Sequence, residues 1–434
     1  MLTVLVPVLP FIVFAYFLYF RNNYQSNHLM VMLIFLSFMI FATNYTDYGL
    51  DIHIYRFIHK GIGILLILAL MYHIYTKGIF VLKNITTLFL GLFFTIILLS
   101  FLGNDIYMLH YQHYVINFIF LSSIVLFLYL KIDNREKLDE LLKFILYLSL
   151  ILAVFAIIET FLSGKRAILV YSNPNYLAYS LMLGFPIALF REHKYKILNV
   201  SLLTYAIFLS GSRAVELPIV LLFGLFIVVH FNKFNKKYLL MFLCVVILVF
   251  GLFSRKIINN DSPTAGNVRI ELAYLGFNAF KDSPINGIGY SQFRTKFINY
   301  VDETIRNTSE FQMKGLIMSY DKSLSDKDLK ERDLKRNMEM MTHSDFVKIY
   351  AELGLLGIVF LLLYFYKLYF ELKKLFVYQQ EYFYVSISLI FSSLTFSMFH
   401  NNITTFVFWF ILFLPFLMNK IFQNNSQKIS YEKT

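Results

Sequence analysis

Three short patches in a mostly apolar chain of 434 residues carry side chains suited to chemistry: Gly211-Ser212-Arg213-Ala214, then Arg269, then Thr342-His343-Ser344-Asp345. Arg213 separates two apolar runs, and Arg269 and His343 bracket the only long polar segment. A guanidinium presents a planar fork that matches phosphate oxygens in pairs. A neutral imidazole can take a proton from a hydroxyl. Two such cations and one base at a single membrane face suit a phosphate-bearing lipid substrate.

Each candidate has a plainer reading beside the chemical one. The apolar stretch Ile197–Ser210 covers about 21 Å as a helix, less than the ~30 Å hydrocarbon layer. Arg213 is therefore expected below the membrane surface, where it must be paired or face a wet cavity. It either pairs with Glu216 one turn on or forms an anion-binding fork. Thr342 and Asp345 have capping-box spacing, which puts His343 in the first turn of a helix. The positive end of that helix disfavours an imidazolium, so His343 is either a general base or an ordinary interfacial histidine. Asn267 is expected to cap a helix with the apolar face Val268, Leu272, Leu275 and Ala279. Arg269 then sits in its first turn, where a helix dipole prefers acids, as a substrate contact or a snorkelling surface arginine. Arg166 precedes Asn173-Pro174-Asn175, which reads as a turn with Asn175 capping the next helix. Asp105, His110 and His113 are too loosely spaced to make a convincing metal site. The chain has no Gly-Lys-Ser/Thr phosphate loop, no Rossmann glycine pattern and no Gly-x-Ser-x-Gly, which argues against an ATP-driven pump.

The elements that must position these residues are membrane helices. The chain is 58% hydrophobic and 15% charged, with a mean hydropathy of +0.62; soluble domains carry about 25% charged residues. Apolar runs near 2–20, 29–43, 61–75, 85–102, 114–130, 144–162, 176–190, 197–210, 214–231, 238–253, 353–369, 383–399 and 403–418 predict an all-α, polytopic bundle of about 12–14 spans. The run Leu2–Phe20 lacks a basic leader and a small-residue cleavage site and is read as a retained helix. The single cysteine, Cys244, excludes an intrachain disulfide and a cysteine-rich metal site. The net charge of +12 is not a nucleic-acid signal, because most short-loop Lys and Arg orient helices. Alternate short loops hold sixteen Lys and Arg against five in the intervening ones, which puts the first set in the cytoplasm. The long segment 254–352 then lies outside. It holds 15 Lys/Arg and 14 Asp/Glu, and from Ser325 it is expected to form a solvated helix with paired charges. Four regions follow: helices over 1–150, motif-bearing helices over 151–253, the outer segment 254–352, and C-terminal helices with a cytoplasmic tail over 353–434.

The motifs fall in an ordered series: Asn173-Pro174-Asn175-Tyr176-Leu177-Ala178, Leu209-Ser210-Gly211-Ser212-Arg213-Ala214, Arg269, Pro284-Ile285-Asn286-Gly287-Ile288-Gly289-Tyr290, His343-Ser344-Asp345-Phe346, and Glu352-Leu353-Gly354-Leu355-Leu356-Gly357. Over roughly 155–370 this series resembles the O-antigen polymerase/O-antigen ligase superfamily. The family usually has His-Asn where this chain has His343-Ser344. The resemblance implies a GT-C-like fold and an inverting transferase that uses no metal or other cofactor. It implies a glycan donor on undecaprenyl pyrophosphate, a lipid-linked acceptor, and a site on the outer face of the bacterial cytoplasmic membrane. It carries the catalytic roles onto Arg213, Arg269 and His343. Arg166, Asn175, Tyr290 and Asp345 are assigned to substrate binding. A polysaccharide polymerase, for O-antigen or capsule, is the favoured reading. A ligase acting on another acceptor such as lipid A-core, and a non-enzymatic lipid-linked oligosaccharide flippase, are the alternatives. Membrane lipids surround the protein, and a chain-length regulator protein is a candidate partner.

Overall fold

A computed structural model describes most of residues 67–104, parts of 118–130, and residues 131–169, 174–230, 264–300, 344–400 and 406–431. The expected spans before residue 61 and at 238–253, and the charged helix from Ser325, lie outside the described residues. Among the described residues all regular structure is helical: α1 (Ile85–Leu99), α2 (Arg135–Ser163), α3 (Pro174–Phe190), α4 (Lys196–Ser210), α5 (Arg213–His230), α6 (Thr264–Asp282), α7 (Phe293–Lys296), α8 (Asp345–Tyr378), α9 (Gln380–Phe399) and α10 (Phe406–Tyr431). Helices α2, α8 and α9 are long and apolar enough to cross a membrane, and α1, α4 and most of α5 and α10 form shorter apolar helices. The chain is a polytopic membrane helix bundle. Helix is the required form, since hydrocarbon offers no partner to a bare backbone.

Two antiparallel hairpins set the frame. The short turn 191–195 joins α3 to α4, and Gln379 joins α8 to α9. Small residues allow close crossings. A Cβ on Gly184 of α3 would lie 2.5 Å from Cβ of Ser149 on α2, and Ser149 Oγ donates to the Ser180 carbonyl at 3.1 Å. Between α1, α8 and α10, Trp409 packs 4.8 Å from Phe93 and is fully buried.

Several ends differ from the sequence expectation. Helix α2 begins at Arg135, capped by Asn134, whose side chain accepts from Lys137 N at 2.9 Å. The apolar run at 144–162 marks only its membrane part. Helix α10 continues past its apolar run because polar residues find partners inside the bundle. Asn419 Nδ2 donates to the Glu371 carbonyl and side chain at 2.7 and 2.8 Å, and Lys420 Nζ donates to the Tyr129 carbonyl at 2.6 Å.

The bundle has two chemically different ends. At one, Arg191 bridges Asp139 and Glu381, each at 2.9 Å, and lies 5.1 Å from the Tyr382 ring centroid. Arg135 Nε donates to the Tyr382 hydroxyl at 3.2 Å. This end ties the start of α2, the α3–α4 turn and the start of α9 together. The opposite end therefore collects the end of α2, the start of α3, the end of α4, the starts of α5 and α8, and the end of α9.

Candidate active site

Most of the candidate residues fall at that second end. Helix α4 stops at Gly211, in the left-handed region at φ +60°, which leaves carbonyls without helical partners. Arg166 supplies the donors: Nε reaches the Ser210 carbonyl at 2.9 Å and Nη2 the Gly211 carbonyl at 2.7 Å. A cation at the negative end of a helix is also favoured by the dipole. Glu159 steadies the same loop, accepting from Ile168 N and Leu169 N at 2.8 Å each. Arg166 thus shapes the Ser-Arg turn, with two of its guanidinium nitrogens bound to backbone. Arg213 follows as the first residue of α5.

Helix α3 begins with Pro174, not after Asn175. Proline favours the first helical position, where its missing N–H costs nothing. Asn175 is therefore a first-turn residue and not the cap. One residue on, Tyr176 faces the end of α9, with ring centroids 5.9 Å from Phe396 and 6.2 Å from His400. His400 is itself buried and stacked on Phe396 at 4.7 Å.

Arg269 reaches this end from α6. That helix starts at Thr264, so Asn267 lies within it and Arg269 is in its second turn, not its first. The expected apolar face is present at Leu272, Leu275 and Ala279, all fully buried. The exposed side chain of Arg269 places its guanidinium 5.4 Å from the Phe399 ring centroid. A cation on an aromatic face gains about 0.5–1 kcal/mol at an exposed site, which favours this placement of the guanidinium over others.

Helix α8 is capped by Ser344, whose side chain accepts from Val347 N. Asp345 is consequently the first helical residue, and it is buried. Thr342 and His343 lie outside the described residues. Tyr290 is buried too, edge-on to Phe93 at 6.3 Å, with its N–H donating to Ser100 Oγ at 2.9 Å.

The support of the site is a break in α8 that the sequence reading missed. Gly354 has φ +61° and ψ −150° inside the helix. In an unbroken helix, Leu355 N and Leu356 N would donate to the carbonyls of Ala351 and Glu352. Here they donate instead to Pro284 and Ile285, at 2.8 and 3.1 Å. The freed carbonyls of Ala351 and Glu352 accept from Ile288 N and Gly289 N, at 3.0 and 3.2 Å. The Pro284–Tyr290 motif is thus spliced into α8, and every group freed by the break is paired. Asn104 Nδ2 donates to the Gly287 carbonyl and Asn286 Nδ2 to that of Leu102, at 2.9 and 2.7 Å, which adds the end of α1 to the same knot. The only sequence signals for it were the two glycine motifs and a Lys348–Glu352 spacing of one turn in an apolar helix.

Among the described residues no cluster of His, Cys, Asp and Glu could hold a metal ion. In comparison with known families, residues 198–362 match the Wzy_C family, described as O-antigen ligase. The matched stretch includes Arg213, Arg269, the spliced motif, His343 and the Gly354 break, and leaves out Asn173-Pro174-Asn175. It agrees with the resemblance that the motifs carry. A search of curated proteins gave no match.

Proposed function

With that family match as the premise, we propose that the chain is a surface-polysaccharide polymerase. It transfers glycan from undecaprenyl pyrophosphate to a sugar hydroxyl of a lipid-linked acceptor, at the outer face of the bacterial cytoplasmic membrane. The observation that carries this reading is that the Ser-Arg turn, the exposed Arg269 guanidinium and the start of α8 all belong to one end of the bundle. In the reaction, the acceptor oxygen attacks the anomeric carbon as the bond from that carbon to the pyrophosphate oxygen breaks. A single displacement inverts the centre. His343 takes the hydroxyl proton, and Arg213 and Arg269 bind the departing pyrophosphate. Each charged hydrogen bond supplies about 1.5–3 kcal/mol. The arginines provide the charge stabilisation that a divalent cation would otherwise give, so chelator should leave the rate unchanged.

The test uses purified protein and lipid-linked repeat units. Arg213→Lys and Arg269→Lys should each lose most activity, since lysine keeps the charge but not the paired donors. Full activity of both variants would overturn the pyrophosphate assignment. The family description favours a second reading, a ligase that moves glycan to a different acceptor. Cells lacking the protein distinguish the two. Single repeats still displayed without long chains mean a polymerase, and loss of all attached glycan means a ligase.

The outward orientation rests on the loop charges and has its own test. In a Cys244→Ser background, Ser325→Cys should react with a membrane-impermeant thiol reagent in intact spheroplasts. Labelling only after lysis would reverse the topology and place the site inside.

A further inference from the structure

Beside the break in α8 lies a charge pair that the proposed chemistry does not use. Lys348 and Glu352 are 6% and 3% exposed, with Nζ 3.7 Å from Oε2. The Lys348 ammonium also sits 4.9 Å from the Tyr290 ring centroid. The Glu352 carboxylate accepts from Ser291 N at 2.7 Å and from Phe293 N at 3.3 Å, where the spliced loop turns into α7. Burying two charges costs several kcal/mol per ion before their attraction and added hydrogen bonds offset it. A bundle that needed only packing here would be served as well by apolar side chains of similar volume. What the pair adds is a directional hold. The backbone splice fixes residues 284–289, and the carboxylate extends that hold to residues 291–293. This locks the chain leaving α6 onto the first turns of α8. Helix α6 carries Arg269, and α8 opens immediately after His343.

We propose that Lys348 and Glu352 are positioning residues for the transfer reaction: through the loop at 291–293 they set α6, and with it Arg269, relative to the start of α8. The inference rests on the transferase reading, and its test has one arm that does not.

The activity arm compares four variants. Glu352→Ala should lower kcat at least tenfold while the donor KM changes less than threefold, because the arginines remain but stand wrongly relative to the base. Glu352→Gln keeps an oxygen that can accept from Ser291 N and should recover part of that loss. Lys348→Met alone strands a buried carboxylate and should lower both thermal stability and kcat. Lys348→Met with Glu352→Gln removes both charges but keeps the loop hydrogen bond, so it should recover most of each. If kcat per folded molecule stays at the wild-type value in Glu352→Ala, the pair is structural only and the proposal is overturned. If the double variant stays inactive with a raised donor KM, Lys348 touches the donor and the positioning role is likewise overturned.

The second arm reads geometry without substrate. Spin labels at Ile270→Cys on α6 and Tyr205→Cys on α4, both exposed positions, are placed in a Cys244→Ser background. Their distance distribution should broaden or shift in Glu352→Ala. An unchanged distribution overturns the positioning proposal. A wild-type protein that turns over no lipid-linked donor, with the expected shift in distance, overturns the transferase reading and leaves the loop clasp standing.

Discussion

Gly354→Ala is expected to remove most of the folded protein from the membrane. At φ +61° and ψ −150° this position occupies backbone space that is essentially closed to residues with a Cβ. The added carbon would lie 2.5 Å from Gly287 N and 2.6 Å from the Ile285 carbonyl oxygen. Both are backbone atoms in the splice, so no side chain can turn aside to make room. Strain of about 1–3 kcal/mol at such a backbone adds to roughly 1–3 kcal/mol for overpacking. Together these approach the 5–15 kcal/mol that holds an ordinary domain folded. The measurement is the yield and melting temperature of detergent-purified protein. Gly91→Ala and Gly224→Ala serve as controls, because their added Cβ would meet nothing within 4 Å. Alanine is the better helix former by about 1 kcal/mol, so both should melt at or slightly above the wild-type temperature. A Gly354→Ala protein as abundant and as heat-resistant as these controls would mean that α8 can close its break and that the splice is dispensable.

Much of the bundle was legible because the bilayer imposes it. The apolar runs at 176–190, 197–210 and 214–231 became α3, α4 and α5 with ends shifted by one or two residues. The caps were read less well. In Asn173-Pro174-Asn175 and Thr342-His343-Ser344-Asp345, several polar residues in a row can each cap, and spacing alone does not choose between them. Pro174 did carry the answer for the start of α3, since proline favours the first helical position. The splice was not legible. It joins the carbonyls and amides of two segments more than sixty residues apart, and backbone hydrogen bonds leave almost no trace in side-chain pattern. In the sequence, Pro284–Gly289 and Gly354 therefore stand only as parts of two glycine-bearing motifs, with no sign that they join. The platform for Arg269 was equally hidden, because Phe399 meets it only through the packing of α6 and α9 against α8. Arg166 stood in the sequence as the residue before the Asn-Pro-Asn turn and an expected substrate contact, and its hold on the α4 terminus is seen only in the fold. That task was recognisable only once Gly211 was known to end the helix.

His343→Ala should lower turnover roughly a hundredfold or more, the scale of one acid–base group, while donor binding and folding persist. His343 stands next in sequence to Ser344, the cap of α8. The unsatisfied N–H groups of that helix end carry a partial positive charge that favours the neutral ring. Only the neutral ring can accept the proton, so wild-type activity should decline as pH falls through the imidazole range. His343→Gln separates proton transfer from mere hydrogen bonding. Glutamine can hold a hydroxyl in place but cannot take its proton near neutral pH. A loss with Gln as deep as with Ala, in a protein that melts normally, means that the ring moves a proton. Near wild-type turnover with Gln would reduce His343 to an acceptor-orienting group. Turnover near wild type with Ala would remove it from the reaction altogether, leaving Arg213 and Arg269 to stabilise the leaving group while water or the departing pyrophosphate takes the proton. In that last case the acid limb of the pH profile should move to the phosphate range or disappear, so the profile of the Ala variant decides between the remaining bases.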